Sequence, residues 1–212
     1  MTRPIVYLVD DDYAVRDSLA MLLRSVDLDV CLFDSAQSFL DGFNEEELME
    51  GCLVLDVRMP GVSGFAVQER ITNVGSQIPI IFITGHGDIE QCRKAFRMGA
   101  VDFLSKPVDE QTLLDSLQKA IELSRAKLSV RVRQDALRQQ FSLLTERERQ
   151  VCERIIVGLP NKMIAAELDI SLRTVEVHRA NLLSKLGVDS VANLVKLSLE
   201  SGIFARKGDV NT

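Results

Sequence analysis

The chain has 212 residues, of which 46% are hydrophobic, so it is long and apolar enough for one large or two small domains. No apolar run approaches the roughly 20 residues of a membrane span, which argues against a membrane-spanning protein. The net charge of −6 conceals an acidic half and a basic half, because residues 1–122 contain 10 Lys and Arg against 21 Asp and Glu, whereas residues 123–212 contain 15 against 10.

Five short apolar runs alternate with five amphipathic segments in the acidic half. Several runs are almost continuous Val, Ile and Leu, as is typical of parallel strands covered on both faces. The alternation predicts an α/β domain with a doubly wound, five-stranded parallel sheet. The predicted strands are Ile5–Val9, Val30–Phe33, Cys52–Leu55, Ile78–Thr84 and Val101–Leu104, and the predicted helices are Val15–Ser25, Ser38–Phe43, Phe65–Thr72, Ile89–Met98 and Glu110–Leu123.

Polar side chains follow four of the predicted strands. Asp10 and Asp11 end the first strand, Asp56 the third, Thr84 the fourth, and Lys106 follows the fifth. In doubly wound sheets, ligands gather at the carboxyl ends of the strands, so we expect these groups to converge on one edge.

The three consecutive aspartates at residues 10–12 suggest a site for a hard cation. Asp10 and Asp11, together with Asp56, can hold Mg²⁺, which takes a few carboxylates and keeps water or phosphate oxygens as its other ligands. Asp12 is expected to cap the first helix by accepting a backbone N–H. A merely capped, solvated turn is the alternative, and the polar groups at the other strand ends disfavour it.

Residues 123–141 are polar and basic, contain no Gly or Pro, and favour helix. They predict a continuation of the fifth helix into a linker. Leu117, Ile121 and Leu128 suggest an apolar seam, but the spacing does not persist as a clean heptad. A dimerising coiled coil and a solvated helical linker both remain open.

The basic tail shows helical periodicity and no strand pattern. Thr145 and Glu148 form a capping-box pattern before a first helix. A short helix (Lys162–Leu168), a tight turn (Asp169–Ser171) and a longer helix (Leu172–Leu186) follow, and a fourth helix spans Ser190–Leu199. Two helices across a short turn in a basic domain predict a helix-turn-helix, whose second helix enters a major groove of DNA.

Motifs in both halves resemble one family. "LVDDD", "CLVLDVRMPGVSG", "FITGHGD" and "FLSKP" are similar to a receiver domain, and "LTERERQV", "NKMIAAELDIS" and "TVEVHRANLLSKLGV" to a LuxR-type helix-turn-helix. The chain thus resembles two-component response regulators of the NarL/FixJ subfamily over nearly its whole length. The resemblance implies a flavodoxin-like receiver domain at 1–122, a helical linker at 123–141, and a four-helix DNA-binding domain at 142–206.

The resemblance implies a phosphorylation-activated transcription regulator rather than a conventional enzyme, one that catalyses only its own phosphorylation and slow dephosphorylation. Asp56 would be the phosphoacceptor, with a sensor histidine kinase or a small acyl phosphate as donor. The implied Mg²⁺ ligands are Asp10, Asp11, Asp56 and the backbone carbonyl of Arg58, and the implied supporting groups are Thr84, Lys106 and the movable aromatic Phe103. Arg58 and His86 would flank the path of the hydrolytic water.

The longer helix of the tail supplies candidate DNA contacts. The candidates for base edges are Thr174, Glu176, Val177 and Ala180, and those for phosphates are Lys162, Arg173, Arg179 and Lys185. Many relatives carry Lys where this chain has Glu176, and an acid there can accept a hydrogen bond from cytosine N4. The implied partners are promoter DNA, a second copy of the chain after phosphorylation, and RNA polymerase.

The cysteines, the N-terminus and the composition also bear on the compartment and on rival protein classes. The N-terminus lacks the layout of a signal peptide, and Cys31, Cys52, Cys92 and Cys152 form no close pair, so we expect buried free thiols in a cytoplasmic protein. A haloacid-dehalogenase phosphohydrolase leaves the helix-turn-helix unexplained. A lactone-binding LuxR regulator lacks the acidic strand ends and relies on tryptophan, which this chain does not contain. A receiver that acts without phosphorylation is disfavoured because the full set of Asp10, Asp11, Asp56, Thr84 and Lys106 is present.

Overall fold

The computed structural model describes residues 3–43, 50–85 and 89–204. The chain divides into two compact units between Leu128 and Ser129. Among the described helices, none is long and apolar enough to cross a membrane.

The first unit is a five-stranded parallel sheet in the order β2-β1-β3-β4-β5, with helices between the strands. This order is that of flavodoxin-like doubly wound folds, so the predicted fold class is confirmed. The strands are β1 (Ile5–Val9), β2 (Asp29–Phe33), β3 (Gly51–Asp56), β4 (Ile80–Thr84) and β5 (Asp102–Ser105). The helices are α1 (Tyr13–Ser25), α2 (Ala36–Gly42), α3 (Gly64–Asn73), α4 (Ile89–Arg97) and α5 (Glu110–Ser142).

The central strands β3 and β4 are buried at every residue, which explains their continuous apolar sequence. Apolar side chains form one core cluster on each face of the sheet. At Gly51 a side chain does not fit, because an added Cβ would lie 1.9 Å from the Ile5 carbonyl oxygen of the neighbouring strand. β4 begins two residues later than predicted, at Ile80, and the preceding Pro79 has no N–H for the sheet.

The edge position of β2 overturns one prediction about the cysteines. Cys52 and Cys152 are buried as expected, and burial raises the pKa of each thiol to about 12. Cys92 is only half-buried and Cys31 is exposed. Cys31 lies on β2, which pairs only with β1 among the described strands, and the expectation of a buried thiol was wrong there.

Helix α5 has 33 residues and includes the whole segment 123–141 predicted to be a helical linker, and its residues from 129 onward belong to the second unit. Its middle is fixed to the first unit. The Gly51 N–H donates to Ser124 Oγ at 3.0 Å, Lys127 Nζ donates to the Gln77 carbonyl at 2.9 Å, and Arg125 pairs with Glu50. These contacts extend the packing of the first unit beyond the predicted boundary at residue 122.

The second unit contains helices α6 (Glu146–Val157), α7 (Asn161–Leu168), α8 (Leu172–Lys185) and α9 (Val191–Ser201) around an apolar core. The predicted capping box of Thr145 and Glu148 is present at the start of α6. The turn between α7 and α8 begins at Asp169, which has a left-handed backbone with φ of 52°. Aspartate tolerates this conformation better than most residues, so α7 can end there and α8 can start at a new angle.

Candidate functional site

Three carboxylates converge at the carboxyl edge of the sheet. β1 and β3 are adjacent and paired in register, with Val9 opposite Leu55, so the aspartates that follow them are neighbours. One oxygen each of Asp10, Asp11 and Asp56 lies within 4.8 Å of the others. Asp10 and Asp56 are buried, whereas Asp11 is exposed.

Lys106 brings a positive charge to this acidic cluster. Its Nζ donates to Asp56 Oδ2 at 2.8 Å and lies 2.6 Å from Asp10 Oδ2. The second contact is a close ion pair with a carboxylate that is fully buried. The Lys106 N–H donates to the Thr84 carbonyl at 2.7 Å, and the peptide between Lys106 and Pro107 is cis.

Burial and charge act in opposite directions on the two buried partners. Burial raises the pKa of Asp10, and this effect exceeds the lowering by Lys106 and by the Asp12 N–H. Burial lowers the pKa of Lys106, but the two carboxylates outweigh it and the pKa is raised. The ammonium is therefore fixed in its charged form beside two carboxylates.

Backbone donors and one side chain hold the aspartates in place. Arg58 N–H donates to Asp56 Oδ1 at 3.1 Å, and Asp12 N–H donates to Asp10 Oδ1 at 3.0 Å. Arg16 Nη1 donates to the Asp10 carbonyl at 2.6 Å, a contact that sequence reasoning missed. Asp12 caps α1 as predicted by accepting from two N–H groups. Backbone N–H groups thus hold Asp10 and Asp12, and Asp11 is exposed, so the three adjacent carboxylates lie in different surroundings.

The approach of α3 also shapes the site. Gly64 N–H donates to the Val57 carbonyl at 3.0 Å, and an added Cβ at Gly64 would lie 2.3 Å from the Asp56 carbonyl oxygen. Only glycine allows the first turn of α3 to pass this close to the strand that ends in Asp56.

The donor set fits a hard divalent cation. All candidate ligands are carboxylate oxygens, and two of the three carboxylates are buried. Three carboxylates face the Lys106 ammonium, so the formal charges do not cancel, and a divalent cation with oxygen ligands would offset the remaining negative charge. The cluster is therefore a candidate metal centre.

Two further predicted residues lie near this edge. Thr84 is fully buried at the end of β4 and pairs in register with Ser105 of β5. Phe103 is half-buried, with its ring 6.4 Å from that of Phe82. Arg58 is exposed, and His86 lies outside the described residues.

The second unit presents α8 as a candidate nucleic-acid interface. Its buried residues include Val175 and Leu182, whereas Glu176, Val177 and Ala180 are exposed on the other side. The remaining candidates surround this face. Lys162 is exposed on α7, Arg173 Nη1 lies 3.3 Å from Glu176 Oε2, Thr174 Oγ1 lies 2.8 Å from Ser171 Oγ, and Arg179 Nη1 donates to Asn161 Oδ1 at 3.2 Å.

Lys185, predicted to contact phosphate, is instead bound within the second unit. Its Nζ donates to Glu148 Oε2 at 2.6 Å and to the Leu143 carbonyl at 3.3 Å. The same Glu148 oxygen accepts from the N–H and the hydroxyl of Thr145. This network ties the end of α8 to the start of α6, and it leaves the Lys185 ammonium committed to a buried acid.

Family comparisons agree with this division into two units. The family described as "Response regulator receiver domain" matches residues 6–118, and the family described as "Bacterial regulatory proteins, luxR family" matches residues 142–198.

Similar proteins cover nearly the whole chain. The chain is 44% identical to "Transcriptional regulatory protein FixJ" of Bradyrhizobium diazoefficiens over 204 residues, which are 96% of this chain and 98% of that protein. It is 44% identical to "Response regulator protein TodT" of Pseudomonas putida over 92% of this chain and 85% of that protein. The solved structure of the response regulator StyR is 48% identical, with a TM-score of 0.78 over 94% of this chain and 100% of that one. The chain therefore belongs to the two-component response regulators, as a transcription regulator that combines a receiver domain with a LuxR-type helix-turn-helix domain and is not a conventional enzyme.

Proposed function

We propose that Asp56 accepts a phosphoryl group from a sensor histidine kinase or a small acyl phosphate, and that this modification activates DNA binding. The observation that carries the proposal is the contact of Lys106 with both Asp56 and Asp10 at the carboxyl edge of the sheet. A carboxylate is a poor nucleophile toward an anionic phosphoryl group unless nearby positive charge offsets their repulsion. Lys106 supplies such charge next to the proposed nucleophile.

In the proposed step, an Asp56 oxygen attacks the phosphorus of a phosphohistidine. The new P–O bond forms as the P–N bond breaks, and the imidazole nitrogen keeps the electron pair of the broken bond. Asp10, Asp11, Asp56 and the Arg58 carbonyl would hold Mg²⁺, which when bound supplies positive charge to the phosphoryl oxygens. The Arg58 N–H holds Asp56 Oδ1, which leaves the carboxylate with a fixed orientation.

Thr84 and Phe103 are proposed to convert the phosphoryl group into a change of surface. The added group carries charge and strong acceptor oxygens, which would draw in the Thr84 hydroxyl. Phe103 would then repack toward the space beside Phe82, which its ring already contacts. The buried position of Thr84 and the half-buried ring of Phe103 support this coupling.

We propose that the changed surface includes Ile89–Leu104 and promotes a homodimer. Ile89 and Phe96 of α4 are exposed by 72% and 49%, so they offer a partner apolar area to cover. Sedimentation at micromolar protein would test this. A larger species with a phosphoryl mimic supports the dimer, and a monomer under both conditions contradicts it.

For the DNA complex we propose phosphate contacts by Lys162, Arg173 and Arg179. We propose base contacts by Thr174, Glu176, Val177 and Ala180, which lie along the exposed side of α8 or at its border. Lys185 is left out because its ammonium binds Glu148. Transcription regulation at promoter DNA also implies a cytoplasmic location and contact with RNA polymerase.

The domain boundaries remain a proposal. We propose receiver, linker and output domains at 1–122, 123–141 and 142–206, with one adjustment. The contacts of Ser124, Arg125 and Lys127 with the first unit favour a linker that starts at about residue 129.

Labelling of purified full-length protein by radioactive acetyl phosphate with Mg²⁺ tests the acceptor. Asp56→Asn should abolish the label, because the amide oxygen is a much weaker nucleophile than a carboxylate. Asp34→Asn is the matched control, since Asp34 is exposed directly after β2 at the same edge of the sheet and should leave labelling intact. Stoichiometric labelling of a folded Asp56→Asn variant would refute the assignment.

A further inference from the structure

Helix α8 leaves one continuous side exposed after the core of the second unit is packed. We call this side the α8 stripe, and its members follow one another at helical spacing. The α8 stripe consists of Arg173, Glu176, Val177, Ala180, Asn181 and Ser184. A single exposed face of an α-helix is the shape that a major groove admits.

Glu176 is the only acid in the α8 stripe. It lies in the first half of the helix, the part that helix-turn-helix proteins direct toward base edges. Its Oε2 is 3.3 Å from Arg173 Nη1, and the two side chains are 46% and 84% exposed. Exposed pairs of this kind are weak, so both side chains remain available to a partner.

The charges around the α8 stripe increase the effect that Glu176 can have on DNA binding. Arg173 and Glu176 cancel one another, so the α8 stripe has no net formal charge. The Lys185 ammonium at the end of the helix is bound to Glu148. Sequence-independent attraction to phosphates grows with the number of available cations, and Glu176 offsets part of the positive charge that Arg173 and Arg179 supply from α8.

We propose that Glu176 determines sequence specificity by accepting a hydrogen bond from the N4 amino group of a cytosine and by disfavouring other sequences. The inference rests on the DNA-binding function proposed above. In the major groove, guanine and thymine present acceptors that repel a carboxylate, and adenine places its N7 acceptor beside its amino group. Cytosine alone presents an amino donor without an adjacent acceptor, so it is the base that a carboxylate selects.

Selection from a pool of randomised duplexes tests the proposal with the full-length chain treated with acetyl phosphate and Mg²⁺. The wild type should enrich a motif with one cytosine that Glu176→Gln no longer requires, while the other positions of the motif stay the same. At that position, replacement of cytosine should cost the wild type roughly 5- to 150-fold in affinity, and the variant far less. Glu176→Gln should also bind random duplex more tightly, because a repulsive charge is gone.

Lys162→Gln is the matched control, because Lys162 is exposed on α7 and is proposed to contact a phosphate. It should weaken binding to all duplexes about equally and leave the selected motif unchanged. Glu176→Gln that selects the same cytosine with the same preference overturns the role of Glu176 and leaves the DNA-binding function intact. A wild type that selects no motif overturns the DNA-binding function and with it this inference.

Discussion

The two candidate sites of this chain are built in different ways. At the edge of the receiver sheet, Asp10, Asp56 and Lys106 come from three separate strand ends and are mostly buried, and Lys106 Nζ lies within 2.8 Å of both carboxylates. On α8, Arg173 and Glu176 come from one helix, are exposed, and pair loosely at 3.3 Å. Removing one partner of a buried ion pair leaves the other charge buried and uncompensated, which is costly. An exposed charged residue can be substituted with little effect on its neighbours. We therefore expect substitutions at the first site to remove function and those at the second to redirect it.

The largest effect is expected at the receiver edge. Lys106→Met should slow phosphorylation by acetyl phosphate by about 100-fold or more, because it removes a fixed positive charge from a water-poor site. The initial rate of labelling at saturating Mg²⁺ measures this. Lys119→Met changes an exposed lysine of α5 and should leave the rate unchanged. Equal rates for both variants would contradict the contrast between buried and exposed charges.

A similar contrast within the second unit concerns stability. Lys185→Met should destabilise this unit by roughly 2–4 kcal/mol, since it leaves the buried Glu148 carboxylate without its cation. Arg173→Met removes an exposed charge and should change stability by about 0.5 kcal/mol or less. Hydrogen exchange of α6 and α8 amides, measured in the full-length protein, reports this unit separately. If Arg173→Met lowers protection as much as Lys185→Met, then Lys185 is not the anchor we describe.

The Glu148 network also predicts a dependence on pH. Burial raises the pKa of Glu148, but hydrogen bonds from Lys185 and Thr145 outweigh it, so the pKa is lowered from its ordinary value of 4.5. A depressed carboxyl pKa gives stability that is complete above the unfolded value and is lost as pH falls through the folded value. Protection of α6 and α8, corrected for intrinsic exchange rates, should therefore fall below about pH 4.5. In Glu148→Gln, the α6 and α8 amides should be less protected from hydrogen exchange at neutral pH, and this protection should fall less on acidification.

The smallest effect is expected on the lifetime of the phosphoryl group. The exposed Arg58 begins beside Asp56, whose Oδ1 accepts from its N–H, so its side chain can shield the phosphorus from an in-line water. Arg58→Ala should accelerate self-dephosphorylation by about tenfold or less, equivalent to at most about 1.4 kcal/mol of barrier. Decay after removal of donor, at fixed pH and Mg²⁺, measures this. His86→Ala is expected to change the decay less, and an unchanged lifetime in Arg58→Ala removes the shielding argument.

The receiver edge could be predicted because the sheet is parallel. Once the strands are assigned, their carboxyl ends must share one edge of the sheet. Asp10, Asp56, Thr84 and Lys106 stand at those ends, so they are predicted to lie together at that edge. The contact of Arg16 with the Asp10 carbonyl was missed because it depends on how α1 turns back toward β1. Sequence spacing carries no signal for such a side-chain-to-backbone contact.

Packing across long separations explains the other differences. Lys185 and Glu148 are 37 positions apart, so only the assembled helices show that the ammonium meets a buried acid rather than solvent. The burial of Cys31 was misjudged because the order of the strands, and hence the edge position of β2, is not written in the apolar pattern of one strand. Local sequence patterns are enough to predict the helices and strands. The burial of Cys31 and the partner of Lys185 depend instead on strand order and helix packing.

The central claim is that a phosphoryl group on Asp56 controls binding by α8, and one measurement addresses it directly. Genomic fragments recovered by the wild-type protein are titrated with wild type and with Asp56→Asn, each with and without acetyl phosphate and Mg²⁺. The account predicts that acetyl phosphate raises the affinity of the wild type and leaves the affinity of Asp56→Asn at the untreated value. An equal gain in both proteins, or no gain in a wild type that is demonstrably phosphorylated, would contradict it.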